Sequence, residues 1–257
     1  MPIFLWPGVA PDTDICGQQA QPSLEPFEAE GARGAVLVCP GGGYHGKAGH
    51  EGAPVAGMLR AMGFSAYVLD YRIKPFRIET PLNDALRAVR LLRSMGYGRV
   101  AVMGFSAGGH LAAMAATLYD PGDPEAEDPV ERFSSRPDAF VSCYGATSFR
   151  ACEPDRVRRT LGEQYSEACV DRFSAEMNVT EDTPPAFIWH TADDGLIPAR
   201  CSLLLASALS AHGVSYEMHI YPHGRHGLCM AEENPVVHAW CGQLKVWLEN
   251  LGFGPEK

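Results

Sequence analysis

Short apolar runs alternate with amphipathic stretches along most of the chain. Five runs are almost wholly apolar and rich in β-branched or aromatic residues: 35–39, 66–69, 100–103, 139–143 and 186–189. Such runs are typical of strands that are buried on both faces of a parallel sheet. A sixth run, 216–221, alternates between apolar and polar positions and predicts a strand nearer the edge of the sheet.

Amphipathic patterns between these runs predict helices. Thr80 is placed to cap a helix that begins at Pro81 and carries an apolar face. Similar faces recur over residues 199–212 and over residues 237–251. The alternation predicts an α/β fold, with a mainly parallel central sheet and helices on both faces.

Two segments interrupt the alternation. Residues 119–137 are acidic and rich in proline, which predicts a surface loop. Residues 146–184 hold short helical patterns but no strand pattern, and we expect them to cover part of a site. Because there is neither an internal repeat nor a linker, residues 1–257 are predicted to form a single domain with little or no lid.

Composition narrows the classes of function. The chain has 257 residues, is 46% hydrophobic and carries a formal net charge of −10. That charge, without a basic cluster, disfavours nucleic acids and acidic membrane surfaces as partners. No apolar run reaches the ~18 residues of a membrane span. The first residues lack the basic start of a signal peptide, so a cytoplasmic location is predicted.

Eight cysteines are spread along the sequence, and none forms a C-x-x-C pair. We expect them to be buried free thiols in a reducing compartment: Cys16, Cys39, Cys143, Cys152, Cys169, Cys201, Cys229 and Cys241. His223 and His226 have a spacing that metal ligands use, but a third convincing ligand is missing. No metal is therefore predicted.

The strongest chemical signal is a serine between glycines. Ser106 follows the apolar run 100–103 and precedes an Ala-rich helical pattern, with Gly104 and Gly108 two residues to either side. Glycines remove the Cβ atoms that would clash in a sharp strand–turn–helix corner, and a helix N-terminus directs free N–H groups at developing negative charge. This G-x-S-x-G pattern predicts that Ser106 is a nucleophile.

A serine nucleophile needs a base and a carboxylate, and both follow later strands. Asp193 and Asp194 come after the run 186–189, and His223 and His226 come after the run 216–221. The order Ser, Asp, His is that of α/β-hydrolases. Within each pair, the strand-end position alone leaves both residues as candidates.

Candidate oxyanion donors lie at two other places. The N–H of Ala107 directly follows the serine, and the stretch CPGGGY at 39–44 directly follows the first long apolar run. We expect Gly42 and Gly43 to present backbone N–H groups to an oxyanion. Tyr44 and His45 are candidates for the wall of an acyl or sugar pocket, with simple packing as the alternative for these rings.

Several other polar residues of these stretches are expected to be structural. His110 is predicted to pack and hydrogen-bond in the helix after the serine, and His50 with Glu51 to begin a helix near the oxyanion loop. Asp70, Tyr71 and Arg72 are predicted to form a structural turn rather than to bind substrate.

The chain resembles the α/β-hydrolase superfamily, most closely small bacterial esterases grouped with acetylxylan esterases and hormone-sensitive-lipase-like enzymes. The stretches that carry the resemblance are LWPGVAP (5–11), CPGGGY (39–44), HEGAPVA (50–56), VLDYR (68–72), MGFSAGGHLA (103–112), HTADDGLIP (190–198) and PHGRHG (222–227). The resemblance implies an esterase without metal or organic cofactor. Its D-x-x-V/I-P pattern favours Asp194 as the acid, and its final H-G favours His226 as the base.

The resulting functional hypothesis is a serine esterase with the triad Ser106, Asp194 and His226. It is expected to hydrolyse short acyl esters, chiefly acetyl, on plant-cell-wall-derived oligosaccharides, because family members often remove such groups. The alternatives are a general short-chain carboxylesterase, an arylformamidase-like amidase, or a noncatalytic small-molecule receptor. The oligomeric state stays open, a homo-oligomer included.

Overall fold

An eight-stranded sheet forms the centre of the molecule, in a computed structural model that describes residues 1–13, 19 and 21–255. The strand order is β1-β2-β4-β3-β5-β6-β7-β8. The strands are β1 (Ile3–Phe4), β2 (Ser23–Phe27), β3 (Gly34–Cys39), β4 (Ser65–Asp70), β5 (Arg99–Phe105), β6 (Ala139–Cys143), β7 (Ala186–Thr191) and β8 (Tyr216–Tyr221).

Strands β3 to β8 are parallel, and all six of them were predicted by the hydrophobic runs. The sequence patterns missed β1 and β2, which are antiparallel. Pro26 interrupts the strand pattern of β2, and β1 is too short to show a period. The mainly parallel sheet is confirmed, with an antiparallel pair added at one edge.

Seven α-helices flank the sheet within the described part of the chain: α1 (Ala53–Ala61), α2 (Glu79–Ser94), α3 (Ala107–Thr117), α4 (Pro154–Leu161), α5 (Glu167–Arg172), α6 (Arg200–Ala211) and α7 (Pro235–Asn250). The predicted cap of α2 was wrong, because the helix already begins at Glu79 and Thr80 lies buried in its first turn. At α7 a side chain does cap the helix, since Asn234 accepts a hydrogen bond from the N–H of Val237.

One set of helices packs on each face of the sheet. Leu37 of β3 belongs to a cluster with apolar residues of α2, α3 and α6, whereas its neighbours Val36 and Val38 join apolar residues of α1 and α7 on the other face. Side chains along a strand point alternately to opposite faces, so both faces are covered. This explains why the predicted strands are apolar throughout rather than alternating.

The acidic segment 119–137 is tied down by arginines of α2. It contains one short 3-10 helix, Pro129–Arg132. Arg87 lies 2.6 Å from carboxylate oxygens of both Asp128 and Glu131, and Arg90 donates to the carbonyl of Phe133 at 2.9 Å. The predicted surface loop is therefore held against the domain by ion pairs along one helix face.

Residues 146–184 contain α4 and α5 and no strand, as predicted. The cysteines of the described chain are free thiols, six of them buried and Cys169 half-buried. Cys16 lies outside the described residues. No helix within 1–13, 19 and 21–255 combines the length and the apolar character that a bilayer crossing requires.

The turn after β4 is fixed by a buried ion pair. Arg72 donates from Nη2 to Oδ1 of Asp84 at 2.6 Å, and its backbone N–H donates to Oδ2 of Asp84 at 2.9 Å. Both side chains are at most 2% exposed. Because burial withdraws both charges from water, either one left alone would be strongly unfavourable. Asp70, two residues earlier, is 61% exposed and pairs with Lys47 at the surface.

We therefore expect Asp84→Ala to lower the free energy of unfolding by about 3–5 kcal/mol, because it leaves the Arg72 guanidinium buried without its partner. The matched control is Asp70→Ala, which removes an exposed partner and should cost less than about 1 kcal/mol. Urea unfolding followed by far-UV circular dichroism measures both. Equal effects of the two substitutions would contradict this account of the turn.

Candidate active site

Ser106 lies in a sharp turn between β5 and α3. Its backbone has φ 52° and ψ −116°, a conformation that non-glycine residues rarely adopt. A Cβ on Gly104 would lie 2.0 Å from the carbonyl oxygen of Gly108, and a Cβ on Gly108 would lie 1.9 Å from that of Cys39. The two glycines therefore permit the close approach that the turn requires.

His226 and Asp194 meet the serine from two other strand ends. The Ser106 hydroxyl donates to Nε2 of His226 over 2.8 Å, and Nδ1–H of His226 donates to Oδ2 of Asp194 over 2.7 Å. The Asp194 side chain is fully buried, and that of His226 is 15% exposed. The structure thus brings together the serine, histidine and carboxylate that the sequence predicts, in one hydrogen-bonded series.

Asp194 is held as a carboxylate by several donors. Burial by itself would raise its pKa, but hydrogen bonds from His190, from His226 and from the N–H groups of Ile197 and Leu196 lower the pKa well below the ordinary value. His190 itself is oriented by its other ring nitrogen, which accepts from the hydroxyl of Ser202 at 2.8 Å. The acid therefore stays charged beside the histidine ring, and it can stabilise an imidazolium.

The neighbouring candidates Asp193 and His223 form a second, separate pair. Oδ2 of Asp193 lies 2.9 Å from Nδ1 of His223, and Oδ1 accepts from the N–H of Gly224 at 2.7 Å. The His223 side chain is 84% exposed, and His223 and Ser106 share no hydrogen bond. Of the two Asp–His pairs offered by the sequence, one reaches the serine and the other stays at the surface.

The predicted oxyanion residues surround the serine. Gly42, Gly43 and Ala107 all line the cavity that contains Ser106. None of their N–H groups is used in a hydrogen bond between described residues. Gly42 has φ 133°, and a Cβ there would lie 2.1 Å from the carbonyl oxygen of Gly46, so this position requires glycine. The loop therefore leaves donors free beside the serine.

The cavity over Ser106 encloses about 340 Å³. Tyr44 and His45 line it, as do Phe149 and Ile197. Helix α4 closes one side, so the segment between β6 and β7 covers the site as expected. Tyr44 is also 5% exposed and packed into the core, so both interpretations of this ring describe it in part.

Tyr44 is anchored by a buried histidine. Its hydroxyl donates to Nδ1 of His110 at 2.7 Å, and Nε2–H of His110 donates to the carbonyl of Phe173 at 2.8 Å. The His110 ring stacks on Phe149 with 4.5 Å between centroids. His110 is thus a packed, hydrogen-bonded residue that connects the oxyanion loop, the helix after the serine and the wall of the cavity.

A buried network behind the site was not predicted from the sequence. Glu51 accepts from the N–H of Gly41 at 2.8 Å and from the Tyr144 hydroxyl at 2.6 Å, and this hydroxyl also accepts from the N–H of Cys229 at 3.0 Å. The Tyr144 ring packs edge-on against His226 at 5.0 Å between centroids. The network connects the candidate oxyanion loop, residues 39–44, to the loop after β8 that carries His226.

A usable signal for this network was present in the sequence. Tyr144 directly follows β6, at the same sheet edge as Ser106, Asp194 and His226, and ligands bind at that edge in α/β sheets. Glu51 was expected only to begin a helix, and it does end a 3-10 turn before α1. Its contact with Tyr144 spans 93 positions, which no local pattern reveals.

The arrangement can perform nucleophilic acyl transfer. It contains a hydroxyl, an imidazole that can accept its proton, a carboxylate that fixes the ring, and free N–H donors next to the hydroxyl. His223 and His226 are directed to different carboxylates rather than to a shared centre. Within the described residues, no group of three His, Cys, Asp or Glu side chains converges as metal ligands do.

Comparison with protein families gives one match over most of the chain. The family model described as BD-FAE matches residues 24–209, which include Ser106 and Asp194. A solved structure, an acetyl ester-xyloside bifunctional hydrolase from Caldicellulosiruptor lactoaceticus, is 40% identical and superposes with a TM-score of 0.92, covering 99% of this chain and 97% of that one. This likeness confirms the α/β-hydrolase fold.

Two curated proteins are similar in sequence. An endo-1,4-beta-xylanase B from Butyrivibrio fibrisolvens is 34% identical over 82% of this chain, and an acetylxylan esterase from Xylanibacter ruminicola is 28% identical over 75% of it. The matched regions are 34% and 40% of those two proteins. The matched part of the chain therefore spans less than half the length of these two relatives.

His110 provides a test of the buried geometry around the site. Burial lowers its pKa from 6.5 to about 4, although the hydrogen bond to the carbonyl of Phe173 opposes this in part. Because the folded pKa lies below the unfolded value, the stabilisation is complete above pH 6.5 and is lost as the pH falls toward 4. Between pH 7.5 and 4.5 this single group should cost about 2–3 kcal/mol of unfolding free energy.

Urea unfolding at the two pH values measures this loss, and His110→Gln is the control, since it keeps a donor and an acceptor but does not titrate. The variant should lose less stability than the wild type over this range by that amount. An equal loss in both proteins would show that His110 is not buried in its neutral form. Nitrogen NMR should find the ring proton on Nε2 at pH 5.5.

Proposed function

The chain belongs to the BD-FAE family of α/β-hydrolases, and on this basis we propose that it is a serine esterase that releases short acyl groups, chiefly acetyl, from oligosaccharides. The observation that carries the proposal is the hydrogen-bonded series from Ser106 through His226 to Asp194, with distances of 2.8 and 2.7 Å. These residues arrive from three strand ends, and their order along the chain is that of α/β-hydrolases.

In the proposed mechanism, the Ser106 oxygen attacks the ester carbonyl while Nε2 of His226 takes the hydroxyl proton. Asp194 holds the ring by its Nδ1–H and stabilises the imidazolium that forms. The tetrahedral intermediate collapses when His226 gives the proton to the leaving alcohol oxygen, and an acyl group then remains on Ser106. Water attacks this acyl-enzyme with His226 again as base, which releases the acid and restores the serine.

The oxyanion of each tetrahedral intermediate is proposed to lie against the N–H groups of Gly42, Gly43 and Ala107. Between described residues these donors are free in the resting protein, and they are carried by a glycine loop and by the start of α3. Donors that are already oriented need no rearrangement as charge develops, which is the main source of their effect on rate.

The proposed substrate class follows from the cavity and from the relatives. A cavity of about 340 Å³ that also presents polar rings suits a short acyl group and part of a sugar rather than a long lipid chain. The similar proteins are described as an acetylxylan esterase, a xylanase and an acetyl ester-xyloside hydrolase. We further propose that residues 1–257 form one α/β-hydrolase domain.

Substitution of the proposed triad should abolish turnover. Ser106→Ala and His226→Gln should each reduce kcat for 4-nitrophenyl acetate by at least about a thousandfold, because the nucleophile or its base is lost. The surface pair supplies the control: His223→Gln removes an imidazole three positions before His226, Asp193→Asn removes the carboxylate next to Asp194, and each should change kcat less than about twofold. Substantial turnover by the Ser106 variant would reject the assignment.

A substrate panel tests the proposed specificity. We expect kcat/KM to be highest for acetyl esters and to fall through butyryl to octanoyl esters, because the cavity is closed by α4. Acetate release from acetylated xylo-oligosaccharides, measured by an enzymatic acetate assay, should exceed release from a matched simple acetyl ester. Binding without turnover of any ester would instead indicate a receptor, and preference for N-formyl anilides would indicate an amidase.

A further inference from the structure

Two arginines of α4 line the same cavity as Ser106. Arg156 and Arg159 are three positions apart on the helix and therefore lie on neighbouring parts of one face. Arg159 is exposed at the cavity wall, and Arg156 is half-buried. Nε of Arg156 is shielded from solvent and has no hydrogen-bond partner. In the described part of the chain, neither guanidinium forms an ion pair with a carboxylate.

Several other arginines pair with carboxylates of the protein itself. Arg158, on the same helix, lies 3.2 Å from a carboxylate oxygen of Asp155, and its guanidinium carbon lies 4.9 Å from the Tyr165 ring centre. Arg87 and Arg90 are paired with acidic side chains of the segment 119–137. Nε of Arg93 is also shielded and without a hydrogen-bond partner, but Arg93 pairs with Asp138 through Nη2 at 3.0 Å, whereas Arg156 and Arg159 line the cavity with no such pair to a described residue.

The cavity lining contains two arginines and one acidic residue. Glu51 is the sole acidic residue among its described lining residues, and its two oxygens accept from Gly41 and Tyr144. Glu176, which lies near Cys152, accepts from Ser148 and is not among the lining residues. The other carboxylate of the site, Asp194, is engaged by His226 and by the N–H of Ile197, so between described residues neither carboxylate neutralises the two arginines.

We infer that Arg156 and Arg159 form a carboxylate-recognition subsite, and that the preferred ester carries a free carboxylate in addition to the bond that is cleaved. The inference rests on the proposed function, in which Ser106 acts on an ester bound in this cavity. Guanidinium forks match the two oxygens of a carboxylate, and the shielded Nε of Arg156 gains a partner when one binds. The carboxylate belongs either to the acyl group, as in a half-ester of a dicarboxylic acid, or to an acidic sugar.

Matched ester pairs test the inference in two arms. In the acyl arm, 4-nitrophenyl hemisuccinate is compared with 4-nitrophenyl butyrate, in which a methyl group replaces the carboxylate; the spontaneous rate is subtracted from each. In the sugar arm, an acetylated xylo-oligosaccharide with a uronic acid branch is compared with its unbranched counterpart. The quantity measured is the ratio of kcat/KM for the charged member to that for the neutral member.

We expect the wild-type ratio to exceed one in one of the two arms, and that arm identifies the source of the carboxylate. Arg156→Gln and Arg159→Gln should each lower this ratio by about tenfold, mainly through KM, as loss of a charge-assisted hydrogen bond predicts. Arg158→Gln removes the same charge from the same helix outside the cavity and should leave the ratio unchanged. Raising the salt concentration should lower the wild-type ratio.

Three results would overturn the inference: a wild-type ratio at or below one in both arms, a ratio that the two cavity variants do not lower, or an equal fall in Arg158→Gln. Arg159→Gln is an exposed substitution and keeps the test decisive if Arg156→Gln does not fold. Failure of the proposed function is distinct, because the wild type would then hydrolyse neither member of a pair in a manner that depends on Ser106.

Discussion

At Ser106 the chain turns from the central strand β5 directly into α3, in a backbone conformation that a serine side chain does not favour. The surrounding backbone holds this turn in place. It packs so closely that a Cβ atom at Gly104 or Gly108 would overlap a backbone carbonyl group. The Ser106 N–H is held by the carbonyl of Cys143 at 3.0 Å. The hydroxyl is thereby fixed above the sheet at the start of a helix. The histidine, the carboxylate and the glycine loop must all be positioned around this hydroxyl.

The topology of the parallel sheet brings the histidine, the carboxylate and the glycine loop to the serine. Strands β3, β5, β7 and β8 end at the same edge, and the loops that follow them carry the glycines, the serine, the carboxylate and the histidine in turn. Residues separated by 120 positions in the chain thus come within hydrogen-bond distance. Apolar burial on both sheet faces provides the stability, so the loop residues are free to satisfy chemical rather than packing requirements.

The parts of the fold that were predicted from the sequence are those with a local cause. Continuous apolar runs revealed the six parallel strands, and G-x-S-x-G revealed the turn at Ser106, because each of these signals lies within a few neighbouring residues. The choice between Asp193 and Asp194 was different: both follow β7, and the preference came from family resemblance. The structure separates them by geometry, since only Asp194 is directed toward His226 and Asp193 is directed toward His223.

Features with a long-range cause were missed. The two antiparallel edge strands gain their pairing from β4 and give a weak pattern of their own, and the contacts of Glu51 with Tyr144 join distant parts of the chain. Arg156 and Arg159 were not singled out from the sequence, because Arg158 lies between them on the same helix and the pattern does not show which arginine faces a cavity. In each case the deciding contact is with an element far away in the sequence.

The hydroxyl of Tyr144 has a consequence for how such proteins can be recombined. One phenol oxygen holds the glycine loop through Glu51 and the histidine loop through the N–H of Cys229. Both loops are held by the same hydroxyl. A loop taken from a relative would therefore contact a tyrosine and a glutamate whose positions suit a different neighbouring loop. Chimeras built from relatives should therefore exchange both loops together with the tyrosine and the glutamate as one inseparable unit.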